Sequence, residues 1–181
     1  MFRKMRRNKQ EMTPEESMAV LEKGTSGVLA VIDEEDYPYA VPLSYVYDAE
    51  AAKLYFHCAV SGHKLDAVKK NPKVSFCVID KDQIVPQEYT TYYRSVIIFG
   101  RMRVIEDEAG RAAAAEKLGL KYAPDDTDEH RKEVIKEGLL RMCMLELSIE
   151  HMSGKEADEI KKESSGKETV EIKRKSDESI K

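Results

Sequence analysis

The chain lacks several features that mark particular classes of protein. Its three cysteines are widely spaced and form no CxxC pair, which excludes a disulfide framework. No apolar run approaches the ~20 residues that cross a bilayer, and no apolar segment follows the basic first residues as in a secretory signal. The net charge of −4, from 30 basic and 34 acidic residues, excludes a generally basic nucleic-acid-binding protein. We therefore expect a cytoplasmic protein with no membrane or nucleic-acid partner, whose cysteines are small buried side chains.

Motifs for several common chemistries are also absent. The four histidines are scattered and no HxxxH sequence or carboxylate cluster accompanies them, so we expect no metal site. No GxSxG sequence supports a serine hydrolase. No Walker A or GxGxxG sequence is present, so nucleotide binding by those glycine-rich loops is excluded.

What is present is the short-period patterning of β-structure. Hydrophobic residues make up 41% of the chain, enough for a core. Runs of apolar and alternating residues predict six strands, at residues 28–32, 37–47, 53–58, 73–80, 89–106 and 139–150. The first is expected to be buried on both faces, and Pro42 indicates that the second lies at a sheet edge or bulges there. A loop is expected at Lys81–Glu88, and Gly100 indicates a bulge or a sharp bend in the fifth strand. With little parallel βαβ alternation, the sequence predicts a mainly β (α+β) fold, an antiparallel six-stranded barrel with flanking helices.

Helix signals flank these strands. Thr13 is the expected N-cap of a first helix, with Pro14 as its first residue, Glu16 closing a capping box and Gly24 ending it as a C′ glycine. Further helices are predicted at residues 63–70, after Asp107 and from Asp125 to Gly138.

Both ends of the chain differ in composition from the middle. Residues 1–10 form a basic N-terminal arm, and residues 157–181 are mostly Lys, Glu, Ser and Asp. We expect residues 1–156 to form one domain and 157–181 to be a charged, solvated extension with too few apolar residues to fold alone. Within it, Val170–Ile172 is compatible with a short strand added to a partner.

The most informative stretch runs from the third strand into the second helix. Gly62 and small residues precede a helix whose first turn contains His63 and Lys64, where exposed backbone N–H groups form an anion site. A cation there costs roughly 0.3–1 kcal/mol unless an anion offsets it. A bound phosphate would use the amides, Ser61 and Lys64; equally, Lys64 extends into solvent or pairs with a surface carboxylate.

His57 precedes this loop and shares a strand face with Tyr55, not with the core aliphatic residues. A satisfied polar group and a ligand contact are both compatible with that position. The segment Thr90–Val96 combines tyrosines, hydroxyls and Arg94, which suits a flat ligand or a subunit interface. Ordinary strand-face tyrosines explain most of its aromatic residues as well.

Four segments, in their order and spacing, resemble the pyridoxamine 5′-phosphate oxidase-related flavoproteins, and within them the 5-nitroimidazole resistance branch. The segments are Val41-Pro42-Leu43-Ser44-Tyr45-Val46-Tyr47, Tyr55-Phe56-His57-Cys58-Ala59, Gly62-His63-Lys64-Leu65-Asp66 and Asn71-Pro72-Lys73-Val74-Ser75-Phe76. Thr90–Val96, Phe99-Gly100-Arg101 and Ser153-Gly154-Lys155 continue the match. The resemblance covers about residues 10–156.

The resemblance implies an FMN-binding split β-barrel, assembled as a homodimer with flavin at the subunit interface. It places the FMN phosphate at the Gly62-His63-Lys64 turn and the second strand along the flavin ring. The residues it implies for one subunit are Val41, Pro42, Leu43, Tyr45, His57, Cys58, Ala59, Ser61, Gly62, His63 and Lys64. Arg94 and Ser95 are implied as contributions from the second subunit.

The sequence departs from true pyridoxamine phosphate oxidases because it has no basic pocket for a second, substrate phosphate. The resemblance therefore implies an FMN-dependent oxidoreductase that reduces small molecules such as nitro-aromatics. Electrons would come from NAD(P)H or another donor, and the catalytic candidates His57 or His63 would donate a proton or contact the substrate. The alternatives are a non-catalytic flavin-binding or storage protein, and a related barrel that uses haem or a deazaflavin.

Overall fold

The computed structural model describes residues 1–164, in which seven strands form one antiparallel sheet. The strands are β1 (Ser26–Ile32), β2 (Pro38–Ser44), β3 (Val46–Asp48), β4 (Lys53–Ala59), β5 (Lys73–Val85), β6 (Thr90–Val104) and β7 (Met142–Glu156). The helices are α1 (Pro14–Lys23), α2 (His63–Lys70), α3 (Glu108–Tyr122), α4 (Asp128–Gly138) and α5 (Asp158–Ser164), with 3-10 turns at Asn8–Gln10 and Pro86–Glu88. Residues 165–181, and with them the predicted Val170–Ile172 segment, lie outside the described residues.

The fold is mainly β with flanking helices, as predicted, but the predicted count of six strands is wrong because the described residues form seven. The expected strand 37–47 is two strands that separate at Tyr45: β2 pairs with β1 and β3 pairs with β4. The strand order is β2-β1-β5-β6-β7-β4-β3, so these two consecutive strands occupy opposite edges. Because one residue joins the two edges, the sheet must curl back on itself, yet among residues 1–164 no ladder closes it. Pro42 lies in an edge strand, which confirms that prediction.

Aromatic and aliphatic side chains fill the inside of the curled sheet. Tyr45, Phe56 and Phe76 are fully buried, and the Phe56 and Phe76 rings meet edge to face with centroids 5.1 Å apart. Burying each such side chain contributes about 1.5–3 kcal/mol. Leu21 of α1 is also fully buried and packs into this cluster, so α1 covers one opening of the curled sheet.

The outer face of β1 is not covered, contrary to the prediction that β1 is buried on both faces. Leu29 and Val31 are buried, but Val28 and Ile32 on the opposite face are each 37% exposed. The predicted loop at Lys81–Glu88 is also wrong, because β5 continues to Val85 and pairs with the start of β6. The bulge at Gly100 is confirmed by a register shift between Phe99 and Gly100 against β7.

The first helix begins as predicted and ends differently. The Thr13 hydroxyl accepts from the Glu16 N–H at 3.2 Å, and the Glu16 carboxylate accepts from the Thr13 N–H at 2.7 Å, which confirms the capping box. Gly24 follows the last helical residue but is extended, with φ −65°, and not in the left-handed region of a C′ glycine. Its lack of a side chain is needed because a Cβ would lie 2.6 Å from the Tyr45 hydroxyl oxygen.

Helix α2 has the predicted bounds, whereas the start of the C-terminal extension differs from the expectation. In α5, Ile160 is 2% exposed, and the preceding Ala157 is also buried. Because they are three residues apart, Ala157 and Ile160 lie on one face. The Lys161 ammonium also donates to the Glu11 carbonyl at 2.8 Å. This part of the extension is therefore packed. Among residues 1–164, none of the helices has the length and apolar character needed to cross a membrane.

Candidate functional site

A cleft lies where β2 and β4 diverge beside Tyr45. On the β3 side, β4 is paired only at Lys53–Tyr55, so His57–Ala59 have no ladder partner there among the described residues. Across the cleft, Pro42–Ser44 pair with β1 on one side only. Backbone N–H and C=O groups that no strand satisfies are left to bond water or a ligand. The cleft is thus bordered by two unpaired strand edges.

A cavity of about 360 Å³ occupies this cleft. Its lining consists of Pro42, Leu43, Ser44, His57, Cys58, Ala59, Lys64, Arg141 and Met142. Six of these are sequence-predicted cofactor residues, drawn from three separate segments. The cations Lys64 and Arg141 form no ion pair with any carboxylate of residues 1–162, and no acidic residue is in the lining. The cavity is therefore suited to an anion.

The start of α2 supports this electrostatic character. Gly62 precedes the helix with φ +136°, a conformation that favours glycine. The amides of Leu65 and Asp66 donate to the Gly62 carbonyl at 2.9 and 3.2 Å. Within the described residues, the amides of His63 and Lys64 have no hydrogen-bond partner. Two free N–H groups at the positive end of the helix dipole thus lie next to the cavity cation.

The two candidate histidines have different surroundings. His57 is exposed on the cavity lining, on the face opposite the buried Phe56 and Cys58, as the alternation predicted. His63 lies outside the lining: its Nε2 is 3.3 Å from the Asp33 carboxylate, and its ring stacks on Tyr39 at 4.2 Å between centroids. The pKa of Asp33 is lowered, first by the Tyr37 N–H, against the effect of desolvation, and further by His63.

The remaining predicted residues lie outside this cavity within one chain. Ser61 is an exposed residue of the loop before α2, and Val41 is half-buried against the core. Tyr45 is buried, with its hydroxyl donating to the Leu21 carbonyl at 2.8 Å, and desolvation raises its pKa. The Tyr45 ring is therefore part of the core and is not available to a ligand.

Arg94 and Ser95 lie on β6, away from the cleft of their own chain. Arg94 bonds the Glu156 carboxylate at 3.0 Å and the Asp80 carboxylate at 3.3 Å. Asp80 is also 3.8 Å from the Lys23 ammonium. These ion pairs anchor β6 to β7 and α1, so the structure gives Arg94 a structural role that the sequence did not indicate.

Sequence reasoning missed Ser44, Arg141 and Met142. Arg141 was placed inside a predicted strand at residues 139–150, whereas β7 begins only at Met142. Its backbone N–H closes a turn to the Gly138 carbonyl at 2.9 Å. The sequence signal that was available is the Gly138 helix end, which makes the following residues a connection and not a strand.

A second cavity, of about 500 Å³, adjoins the first and shares Met142 with it. Apolar residues dominate its lining, including Val60, Leu139 and Leu140, of which Leu140 is 83% exposed. Arg111 lies at its rim and donates to the Met142 carbonyl at 3.0 Å. A cationic corner that suits an anion is therefore followed by an apolar recess.

The outer sheet face beside the cleft is apolar and partly exposed, with the Phe2 ring of the N-terminal arm 5.6 Å from the Phe99 ring. Val28, Ile97 and Phe99 are each close to 40% exposed, and Ile79 is 62% exposed. The strand register places Val28, Cys77 and Ile97 side by side across β1, β5 and β6. These residues form what we call the outer apolar face: Val28, Ile32, Ile79, Ile97 and Phe99. It continues to the cleft because Val28 pairs with Pro42.

Comparison with solved structures gives related folds. A Bacteroides thetaiotaomicron protein described as a 5-nitroimidazole antibiotic resistance protein is 19% identical, with a TM-score of 0.68 over 80% of this chain and 85% of its own. A FAD-binding protein from Mesorhizobium loti is 25% identical, with a TM-score of 0.58 over 81% and 96%. A FAD and haem binding protein from Mycobacterium smegmatis is 19% identical, with a TM-score of 0.64 over 82% and 73%.

No curated protein matches the chain. The sequence profile described as pyridoxamine 5′-phosphate oxidase, however, matches residues 13–156, which is most of the chain and includes every element that borders the cleft. This match confirms the resemblance inferred from the Pro42, His57 and Lys64 segments. The chain belongs to the pyridoxamine 5′-phosphate oxidase family.

Proposed function

We propose that the protein binds FMN in the β2–β4 cleft and acts as an oxidoreductase that reduces small molecules. The observation that carries this proposal is the cavity that joins two uncompensated cations, Lys64 and Arg141, to two unpaired strand edges. A flavin monophosphate has the matching parts: a doubly charged phosphate at one end and a flat ring edged with hydrogen-bonding groups at the other.

The residues present fit such a cofactor. Lys64, Arg141 and the free amides at the start of α2 would bind the phosphate, since charge-assisted hydrogen bonds to it are the strong ones. The unpaired backbone groups of Pro42–Ser44 and His57–Ala59 would bond the ring edge. Family members of similar fold include FAD-binding proteins and one described as a nitroimidazole resistance protein, which supports a flavin and, more weakly, a nitro-aromatic substrate.

We further propose a homodimer that covers the outer apolar face. A patch of exposed Val, Ile and Phe beside a ligand cleft is typical of a subunit interface. In such a dimer Arg94 and Ser95 of β6 would approach the cleft of the other subunit. Pro42 belongs to both the cavity lining and the rim of this face, so a ligand in the cleft would contact both subunits.

The chain's contribution to catalysis is positioning and proton supply. When bound, the flavin carries the electrons, which would come from NAD(P)H or another donor. His57 presents an exposed imidazole to the cavity and is our candidate proton donor, because a side chain within reach of the ligand can act as a general acid. His63 is held by Asp33 and Tyr39 and is not assigned this role.

The binding proposal is tested by titrating the flavin-free protein with FMN and with riboflavin, which lacks the phosphate. Lys64→Ala and Arg141→Ala should each weaken FMN binding by about 10- to 100-fold, from the roughly 1.5–3 kcal/mol of a charge-assisted contact. Riboflavin binding should change less than about twofold. Lys69→Ala, in the exposed last turn of α2, is the matched control and should change neither.

An equal loss for both ligands would show that the phosphate lies elsewhere. FAD is a third arm of the titration, because the recess at Val60 and Leu140 has room for a further group beyond the phosphate. Tighter binding of FAD than of FMN would identify FAD as the cofactor and would still support the cleft as its binding site.

The dimer is tested by sedimentation of Ile97→Lys, with Val134→Lys on exposed α4 as the control. We expect the first variant alone to be monomeric and to bind FMN more weakly. A wild-type protein that is monomeric and still holds flavin would contradict the shared site.

The oxidoreductase part is tested by mixing the flavin-loaded protein with NADH or NADPH without oxygen, then with a nitro-aromatic compound. Rapid bleaching of the flavin, followed by its reoxidation, is the expected result. A flavin that is reduced by neither nucleotide nor by a flavodoxin-type donor would leave a non-catalytic flavin-binding protein as the better reading.

A further inference from the structure

Two of the three cysteines face each other on neighbouring strands. In the β4–β7 ladder, Cys58 lies directly opposite Cys143. Side chains of directly opposed residues lie on the same sheet face. Cys77, the third cysteine, is on β5 and pairs with Val28 and Ile97 on the outer apolar face, away from both. All three thiols are free in the structure.

Opposed strand positions have the separation that a disulfide needs. Directly opposed residues of an antiparallel pair have Cα atoms about 4.5 or 5.5 Å apart, within the roughly 4.4–6.8 Å found across disulfides. Their Cβ atoms are about 4.5–5.5 Å apart, against about 3.5–4.5 Å in a disulfide, so the two Cβ atoms need to approach by about 1 Å. The bond can therefore form within the existing ladder.

The two thiols differ in exposure: Cys143 is the more accessible one, and Cys58 is its buried partner. Cys58 is 7% exposed and lines the cleft cavity near Lys64. Cys143 is only half-buried and lines the adjoining recess. Desolvation raises the pKa of Cys58, Lys64 acts to lower it, and the charge of Cys143 raises it further, which is consistent with two thiols at interaction distance.

We propose that Cys58 and Cys143 are a redox pair that a peroxide converts to a cross-strand disulfide beside the cleft. The Cys143 sulfur attacks the peroxide oxygen, breaks the O–O bond and becomes a sulfenic acid, with release of water or an alcohol. The Cys58 sulfur then attacks the Cys143 sulfur, and a second water leaves. Two thiols lose two electrons and two protons in total, and the peroxide gains them.

This pair gives the cleft a reversible response to oxidants that is independent of any bound cofactor. Because the strands must draw together to form it, the disulfide is expected to be reduced readily by dithiothreitol. Cys58 contributes to the cavity lining, so oxidation changes the wall of the site and not a distant surface.

The test treats the full chain with a small excess of hydrogen peroxide, alkylates the remaining thiols and digests it with trypsin without reductant. The expected product is tryptic peptide 54–64 linked to peptide 142–155, at a mass two hydrogens below their sum. Thiol titration should fall from three per chain to one, since two of the three enter the bond. Dithiothreitol should restore all three.

The matched variants separate this pair from other cysteine chemistry. Cys77→Ala should lose both of its two remaining thiols, whereas Cys58→Ala and Cys143→Ala should form no internal disulfide. A link from either cysteine to peptide 74–81, a link between chains, or sulfinic acid at Cys143 with an intact Cys58 thiol would overturn the proposal. The wild-type peptide map decides the question even if a variant fails to fold, and it does not depend on flavin binding.

Discussion

The backbone crosses from one sheet edge to the other at Tyr45, and the backbone groups on the two sides of this crossing differ in their hydrogen bonding. At Tyr45, the backbone N–H donates to the Tyr122 hydroxyl at 3.0 Å, and the single proton of that hydroxyl is shared between the carbonyls of Tyr45, at 2.8 Å, and Thr25. One α3 side chain thus contacts both backbone groups of the crossing residue. Immediately before it, Pro42–Ser44 have no such partner on the cleft side among the described residues. One side is completed by the chain, and the other is left for a ligand.

Charged groups show the same contrast. Glu146 is buried and its carboxylate is bonded by Arg103 at 3.0 and 3.1 Å and by Lys53 at 3.1 Å. In the cavity, Lys64 is half-buried and Arg141 exposed, and neither has a carboxylate partner within residues 1–162. Two cations side by side without a carboxylate attract an anion. The comparison therefore teaches that polar groups with partners mark the parts that hold the fold, and polar groups without them mark the binding site.

The largest change in stability is expected at Tyr45, where a side chain of the same chain bonds the backbone. Tyr122→Phe leaves the N–H and C=O of Tyr45 without a partner, which should lower the free energy of unfolding by about 2–3 kcal/mol. Urea denaturation of the flavin-free protein measures it, with the exposed Tyr37→Phe as control. Flavin affinity measured on the folded variant should be unchanged. A stability equal to wild type would break the contrast between the two sides.

Removing the charge of Glu146 should have a smaller effect that depends on pH. Desolvation acts to raise the pKa of Glu146, but the hydrogen bonds and charges of Arg103 and Lys53 outweigh it and lower the pKa from its ordinary value of 4.5. The stability this provides is therefore present above pH 4.5 and is lost as the pH falls through the lowered value. We expect Glu146→Gln to cost about 1.5 kcal/mol at pH 7.

The difference between wild type and Glu146→Gln should shrink toward zero as the pH falls below 4.5, in denaturation curves measured across that range. Glu150→Gln is the control, because its pair with Arg101 is exposed on both sides and contributes little. A pH-independent difference would mean that the lost stability comes from packing and not from charge.

Loss of the capping box tests helix α1, which packs Leu21 into the core. Thr13→Ala removes the acceptor for the Glu16 N–H and should lower the free energy of unfolding by about 1 kcal/mol. Thermal denaturation monitored by circular dichroism measures it. Thr13→Ser should retain most of the stability, and an equal loss in both variants would contradict the capping role.

The smallest change in stability is expected for the two cations of the cleft. In the flavin-free protein, Lys64→Ala and Arg141→Ala should each change stability by less than about 0.5 kcal/mol, because neither side chain has an ion-pair partner to lose. Urea denaturation measured beside Tyr122→Phe tests this. A loss of more than about 1 kcal/mol would show that these cations hold the fold, and the contrast would no longer identify the binding site.

Local signals predicted the elements that have clear ends. Helix α2 was bounded correctly because Gly62 precedes it and Asn71-Pro72 follow it. The break at Tyr45 was not visible, since the residues on both sides have the same strand pattern and only their different partners, β1 and β4, separate them. The polar residues Asp82 and Gln83 suggested a loop, but pairing with Tyr93 and Tyr92 keeps them in β5.

The candidate site was predictable where its residues form a motif. His57 and Lys64 belong to segments that resemble the family, and the structure places both on the cavity. Arg141 belongs to no motif and enters the site because the α4–β7 connection passes it, which depends on the tertiary fold. His63 shares a motif with Lys64, yet contact with Asp33 turns it away, and no local pattern signals that pairing.

The unpaired edges of the cleft have a consequence for how a cofactor enters and leaves. Among the described residues no ladder spans β2 and β4 at this point, so loading does not require any strand to separate from its neighbour. Exchange of the ligand should then be far faster than global unfolding, and deuterium uptake by the amides that pair β4 with β7 should be the same with and without it. Only the amides that face the gap should slow when it is filled.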